Sequence, residues 1–264
     1  MDLGLTNKHA LVSGSTAGIG FAIASALAAE GAAVTINGRT QKRVVEAIAK
    51  LKDAHPSARV TGVAADLGTE QGAAALFREL PAVDILVNNL GIFEPKAFLE
   101  IGDADWRRFF DINVLSGVRL TRFYLPGMIQ KTWGRVVFIS SESGLQIPAE
   151  MIHYGMTKTA QLAVARGIAE SVAGTGVTVN SVLPGPTASE GVGGFVEQLA
   201  RDQKKTAAEV EAEFFRDMRP TSLIRRFSTI EEVASMVAYV CSEQASATTG
   251  ASLRVDGGVV RSIA

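Results

Sequence analysis

Tyr154 and Lys158 stand four residues apart in Tyr154-Gly155-Met156-Thr157-Lys158. On a helix that spacing puts a phenol and an amine on one face. A phenol with an ordinary pKa of about 10 is a poor base at neutral pH, and a nearby cation that favours phenolate makes it a usable general acid/base. Lys158 supplies that cation. Such a pair is commonplace by itself, so its neighbours decide its weight. Ser140-Ser141-Glu142-Ser143-Gly144 follows one apolar run, Asn88-Asn89-Leu90-Gly91 follows another, and Asn113 lies in Asp111-Ile112-Asn113-Val114. If those runs are strands of one parallel sheet, these positions converge at its carboxyl edge, where open α/β folds bind ligands.

A second segment able to do chemistry is Ser13-Gly14-Ser15-Thr16-Ala17-Gly18-Ile19-Gly20, placed between a short apolar run and a helical pattern. Gly14, Gly18 and Gly20 let the backbone turn sharply, admit a pyrophosphate and allow close helix packing, while the helix N-terminus favours negative charge. The strand before and the helix after favour nucleotide binding over a mere tight turn. After the next strand, where NAD sites place a carboxylate for the ribose 2′-hydroxyl, the chain has Asn37-Gly38-Arg39-Thr40. Arg39 can bind a 2′-phosphate, with Lys42 or Arg43 adding to the field, so NADP(H) is expected ahead of NAD(H). The other reading of Arg39 is a surface cation stacked on adenine.

The elements that must position these residues alternate. Ala10–Val12, Val34–Ile36, Val60–Ala64, Ile85–Val87, Val136–Ile139, Val177–Val182 and Leu253–Val255 are short apolar runs, as expected of parallel strands covered on both faces. Helices are predicted over Ile19–Glu30, Gln41–Ala54, Asp105–Lys131, His153–Ala173 and Ile230–Cys241. The expected fold is a single α/β domain over residues 1–264, a Rossmann-like doubly wound parallel sheet of about seven strands with helices on both faces. Residues 187–223 interrupt this rhythm. They read as a small helical lid over the active site, or otherwise as a solvated decoration. Apolar Phe195, Leu199, Phe214, Phe215 and Met218 within it favour a partly hydrophobic substrate.

Of the 264 residues, 47% are hydrophobic and 20% charged, with a net charge of -1, which leaves no field to hold nucleic acid or an anionic membrane surface. The partner expected is therefore a small molecule. The one cysteine, Cys241, lies in an apolar-periodic stretch and reads as a buried thiol in a reducing, cytoplasmic setting. The N-terminal residues show no secretion signal, no apolar run is long enough to span a bilayer, and no metal-ligand spacing is present, so neither membrane nor metal is expected.

From Lys8 to Gly258 the chain strongly resembles the short-chain dehydrogenase/reductase family, including Asp66-Leu67, Pro184-Gly185 and Val255-Asp256-Gly257-Gly258. By general motif texture the 3-oxoacyl-[acyl-carrier-protein] reductase branch looks nearest. The resemblance implies that Tyr154 protonates a developing alkoxide, that Lys158 holds the nicotinamide ribose and lowers the phenol's pKa, and that Ser141, chosen over Ser140 and Ser143 by the family's spacing, polarises the carbonyl. Asn113 would support a water chain reaching Lys158. Cofactor contacts are implied at Gly14, Ser15, Ile19, Asp66, Leu67, Asn89, Gly91, Lys158, Pro184, Gly185 and Thr187. The chain departs from the family at Ser13, which keeps the usual hydroxyl, and at Leu90, whose bulk would reshape space beside the cofactor.

Some residues keep two readings. Asn88 and Asn89 serve either the cofactor or the sheet's edge, His153 lines a pocket or is structural, and Glu142 discourages anionic substrates or faces solvent. The resemblance also implies that the helices carrying Asn113 and Tyr154 pair between subunits in a homotetramer. The function expected is reversible hydride transfer between NADP(H) and a carbonyl or alcohol, with a 3-oxoacyl thioester or another partly hydrophobic ketone as substrate. The alternative is a nicotinamide-nucleotide-binding regulator without turnover.

Overall fold

The computed structural model describes residues 2–263, without the side chains of residues 195, 196, 198 and 199. The expectation for Phe195 and Leu199 thus lies outside the described residues. Seven strands, β1 (His9–Val12), β2 (Ala33–Gly38), β3 (Val60–Ala64), β4 (Ile85–Asn88), β5 (Gly134–Ile139), β6 (Val177–Pro184) and β7 (Ser252–Val255), form one sheet in the order β3-β2-β1-β4-β5-β6-β7. All neighbours pair parallel. The order reverses between β1 and β4, which opens a crevice at their carboxyl ends.

The apolar runs are continuous because successive residues serve different faces. Val12, Val87 and Val137 join the cluster built with Ile23 and Leu27 of α1 (Gly18–Ala29) and Val233 and Val237 of α9 (Ile230–Val240). Their neighbours Leu11, Leu86 and Val136 join the opposite cluster with Leu76 of α3 (Glu70–Glu79), Leu120 of α5 (Ser116–Gln130) and Ala165 of α6 (Ile152–Ser171). Burial of both faces is the dominant stabilising term in a fold of this kind. α2 (Gln41–Ala54) starts where the Thr40 side chain accepts from the Arg43 N–H. Cys241 is buried, and burial pushes its thiol up to about 12, as befits an inert core residue.

Two departures from the periodicity bear on the site. The helix expected over Asp105–Lys131 is two helices, α4 (Asp103–Phe110) and α5, joined by a π-helical turn at Asp111–Leu115. The side-chain pattern cannot show this, since one extra residue in one turn barely disturbs a 3.6-residue period. Residues 187–223 fold as α7 (Glu190–Gln203), α8 (Ala207–Glu213) and a second π turn at Phe214–Met218. Lys204 ends α7 at φ 55, and Thr206 with Glu209 forms a capping box for α8. Phe214 and Phe215 pack on Phe227, with ring centroids 5.2 and 5.1 Å away. Among the described residues, no helix is long and apolar enough to cross a membrane.

Candidate active site

The carboxyl ends of β4 and β5, the π turn and the first turns of α6 meet in one place. The Ser140 hydroxyl donates to the Lys158 carbonyl at 2.9 Å, which docks α6 onto the end of β5. Lys158 is 4% exposed, and its Nζ donates to the Ile139 carbonyl at 2.9 Å and to Gln161 Oε1 at 3.3 Å. Nζ lies 5.6 Å from the Tyr154 ring centroid. Burial pulls the ammonium down to about 8, with Glu142 opposing. Burial pushes the Tyr154 phenol up, Glu142 adds to this, and the Ser141 hydrogen bond and Arg219 pull it back. Tyr154 is thereby held protonated, as a donor to an oxygen presented to it.

Ser141 accepts from the Ser143 N–H at 3.1 Å and donates to the carboxylate of Glu142. Glu142 does not face solvent; it is buried, because Arg219, at the end of the second π turn, meets it at 3.4 Å and Glu150 at 3.1 Å. Nor does Glu142 present a bare negative charge to a substrate, since that guanidinium neutralises it. The tie joins residues 187–223 to the turn after β5.

Asn113 is buried in the π turn and clamps the loop after β4. Its side chain accepts from the Ile92 N–H at 2.8 Å and donates to the Ile92 carbonyl and to Thr157 Oγ1, each at 3.0 Å. Its backbone carbonyl accepts from Gln161 Nε2 at 2.6 Å. Gly91 borders the ammonium: a β-carbon there would lie in ordinary contact, 3.5 Å from both Asn113 Oδ1 and Lys158 Nζ. His153 turns the other way. It is fully buried, its ring centroid lies 4.0 Å from that of Phe109, both ring nitrogens are without partners, and burial lowers its pKa. Packing is its role.

A cavity of about 300 Å³ opens over the glycine-rich turn. Gly14, Thr16 and Ala17 form one wall, Arg39 and Arg43 a second, and Asp66, Leu67 and Leu90 a third. Gly14 and Gly18 have φ of 60 and 56, which L side chains rarely adopt, and a β-carbon on Gly20 would collide with the Asn89 amide. A phosphorylated dinucleotide fits this cradle: the N-terminus of α1, Arg39 just after β2 and Arg43 in the first turn of α2, with no acid in the Asn37–Thr40 segment. Asp66 follows β3 instead, and its Oδ1 accepts from the Gly68 N–H at 3.1 Å.

Several residues expected at the cofactor also tie the scaffold together. Ser15 is buried, with its hydroxyl donating to the Val12 carbonyl at 2.6 Å and its N–H to the Asn37 carbonyl at 2.9 Å. Its neighbour Thr16 lines the cavity. Asn89 donates to the Ser13 and Gly14 carbonyls, each at 3.0 Å, which stitches the glycine turn to β4. Asn88 donates to Thr121 at 3.1 Å. Ile19 packs against the core, and Leu67 is buried in the opposite core while its edge reaches the cavity. Pro184 ends β6, and Gly185 lets the chain pass Asp256, whose Cα would stand 2.7 Å from an added β-carbon. Thr187 is buried with its hydroxyl on the Gly185 carbonyl at 2.9 Å. Ser13 accepts from the Asn89 and Leu90 N–H groups at 2.9 and 3.0 Å, the work for which its hydroxyl is retained.

The mouth beside Tyr154 is apolar. Phe93 stands edge-on to Tyr154 at 6.4 Å and Ile147 covers Gly155, both with exposed side chains; Leu223 and Ile224, also exposed, cover Gly258 and Gly257 after β7. A family model described as enoyl-(acyl carrier protein) reductase matches residues 14–260. The oxidoreductase YvaG of Bacillus subtilis is 52% identical over all of both chains, and the 3-oxoacyl-[acyl-carrier-protein] reductase of Aquifex aeolicus is 33% identical over 98% of this chain and all of its own. This chain belongs to the short-chain dehydrogenase/reductase family. The crystal structure of L-sorbose reductase from Gluconobacter frateurii, complexed with NADPH and L-sorbose, superposes with a TM-score of 0.93 at 30% identity over the full length of both chains.

Two polar residues of this short-chain dehydrogenase/reductase site, Gln161 and Arg219, went unremarked in the sequence. Gln161 had a usable signal, since it lies three residues after Lys158 on the same helical face. Arg219 had none, because its partner Glu142 is 77 positions away in the chain.

Proposed function

We propose that the protein is an NADP(H)-dependent carbonyl reductase that works reversibly on a partly hydrophobic ketone or aldehyde. The observation that carries this reading is the buried Lys158 ammonium beneath a protonated Tyr154, with Ser141 at its side. The dinucleotide, when bound, supplies the hydride. Arg39 and Arg43 would hold its phosphate end, the N-terminus of α1 its pyrophosphate, and Lys158 the sugar nearest the chemistry.

The chain's own part is to place the substrate and move a proton. The carbonyl oxygen lies between the Ser141 and Tyr154 hydroxyls. As the carbon is reduced, the π electron pair moves onto that oxygen, which takes the Tyr154 proton, and the phenolate left behind is stabilised by the Lys158 charge. In the reverse direction phenolate accepts the alcohol proton. Ser141 must share its proton between Glu142 and the substrate, and Arg219 makes this possible by competing for the carboxylate. Phe93 and Ile147 favour an apolar group beside the reacting carbon. A 3-oxoacyl thioester of the kind named for the Aquifex relative fits that mouth, and residues 187–223 would act as its lid.

A regulator that only binds nucleotide does not need Ser141, Tyr154 and Lys158 together, so catalysis is the better reading. The cofactor part is tested by comparing kcat/KM with NADPH and NADH. We expect a preference for NADPH that Arg39→Ala reduces by about 10- to 100-fold, the worth of one charge-assisted phosphate contact. A native preference for NADH would overturn it. The single buried thiol fits a cytoplasmic setting, and α5 with α6 would carry the contacts of a homotetramer.

A further inference from the structure

Gln161 is 1% exposed, and its carboxamide is spent on two groups. Its oxygen accepts from Lys158 Nζ at 3.3 Å and its nitrogen donates to the Asn113 carbonyl at 2.6 Å. The Asn113 carbonyl is available because it lies in the π turn, where the helix hydrogen-bond ladder is out of register. Gln161 therefore joins the π turn to the Lys158 ammonium, and Lys158 in turn reaches the end of β5, where the Ile139 carbonyl takes another ammonium proton.

We propose that Gln161 is a positioning residue of the proton-transfer machinery, whose carboxamide bridges the Lys158 ammonium to the Asn113 carbonyl, aiming the ammonium and supporting its charge. This rests on the reading of Tyr154 and Lys158 given above. Asn113, which the family resemblance implies supports a water chain to Lys158, is joined to the ammonium through a protein side chain as well. Unlike a water, a covalently held amide fixes the direction of Nζ each time the site forms. The titratable groups facing Lys158 are Tyr154 on its own helix and Glu142 from the turn after β5, with Arg219 behind Glu142. The π turn and the end of β5 present only neutral groups, Asn113 and the Ile139 carbonyl. Loss of this neutral acceptor therefore destabilises the charged amine, leaving the Ile139 carbonyl and the Glu142 charge to support it.

The test is the Lys158 Nζ titration, followed by NMR in cofactor-free protein labelled at lysine nitrogen, in wild type, Gln161→Leu and Gln161→Glu. We expect the titration to fall by about one pH unit in the leucine variant and to rise by about one in the glutamate variant. With NADPH and a reducible ketone, kcat of Gln161→Leu falls about tenfold at pH 8 while KM stays within about twofold, since Gln161 touches no substrate. An unmoved titration in both variants overturns the bridge, whatever happens to kcat. If Gln161→Leu does not fold, Gln161→Glu, which keeps the side-chain length, carries the same test. The bridge and the proposed function fail separately: a shifted titration without Tyr154-dependent turnover would leave the bridge standing and remove the function, and the converse would do the opposite.

Discussion

Lys158 sets the pH behaviour of the site. Its amine is charged below about 8 and neutral above, because burial lowers it from 10.5. Reduction needs the cation, so kcat should be flat near neutrality and fall as pH rises through about 8; a profile unchanged to pH 10 would contradict this. Stability follows the same group. Between about 8 and 10.5 the unfolded chain binds the proton and the folded chain does not, so stability contributed by Lys158 rises with pH across that window, and Lys158→Met removes the increment. The cluster that these residues form was legible at this scale because Tyr154 and Lys158 are close in sequence and Ser141 and Asn113 fall at strand and helix ends. How Ser15 and Asn89 are held was not legible, because a hydroxyl or amide beside a glycine turn looks the same in sequence whether it faces the cavity or the strand behind it.

At the scale of elements, the alternation of apolar runs and helical patterns gave the strands to within a few residues. The reason is physical, since each run must feed two cores at once. The π turn at Asp111–Leu115 was hidden, and so was the tie from the 187–223 segment to β5, which depends on Arg219 meeting Glu142 and Glu150. Both partners of the Arg219–Glu142 pair are largely buried, so removing one leaves an uncompensated charge. Arg219→Met should cost about 3 kcal/mol of unfolding free energy, and Arg219→Met with Glu142→Gln should recover about half of it. Trypsin cleavage after Lys204 and Lys205, which lie at the left-handed end of α7, should accelerate in the single variant. Additive denaturation data with unchanged proteolysis would show that the pair holds nothing down.

For the whole molecule, the sheet order brings the glycine turn, the π turn and α6 to the carboxyl edge of the sheet, where Leu90 lines the cavity and the next residue, Gly91, borders the Lys158 ammonium. The face opposite the sheet on α5 and α6 is unevenly covered: Phe123 and Ile129 are exposed on α5, as are Ala163 and Gly167 on α6. Small and apolar residues at such a face suit a symmetric helix pairing. The tetramer reading predicts a species near four times the 27.8 kDa chain by light scattering, and Ala163→Glu should reduce it. A monomer at micromolar concentration would reject that reading without touching the catalytic one. The central claim concerns Tyr154, and NADPH oxidation against a panel of ketones and aldehydes, wild type beside Tyr154→Phe, tests it most directly. The account predicts turnover of at least one carbonyl, lost by about 100-fold or more in the variant while NADPH binding is kept; turnover unchanged by the substitution, or NADPH binding with no carbonyl reduced, would contradict it.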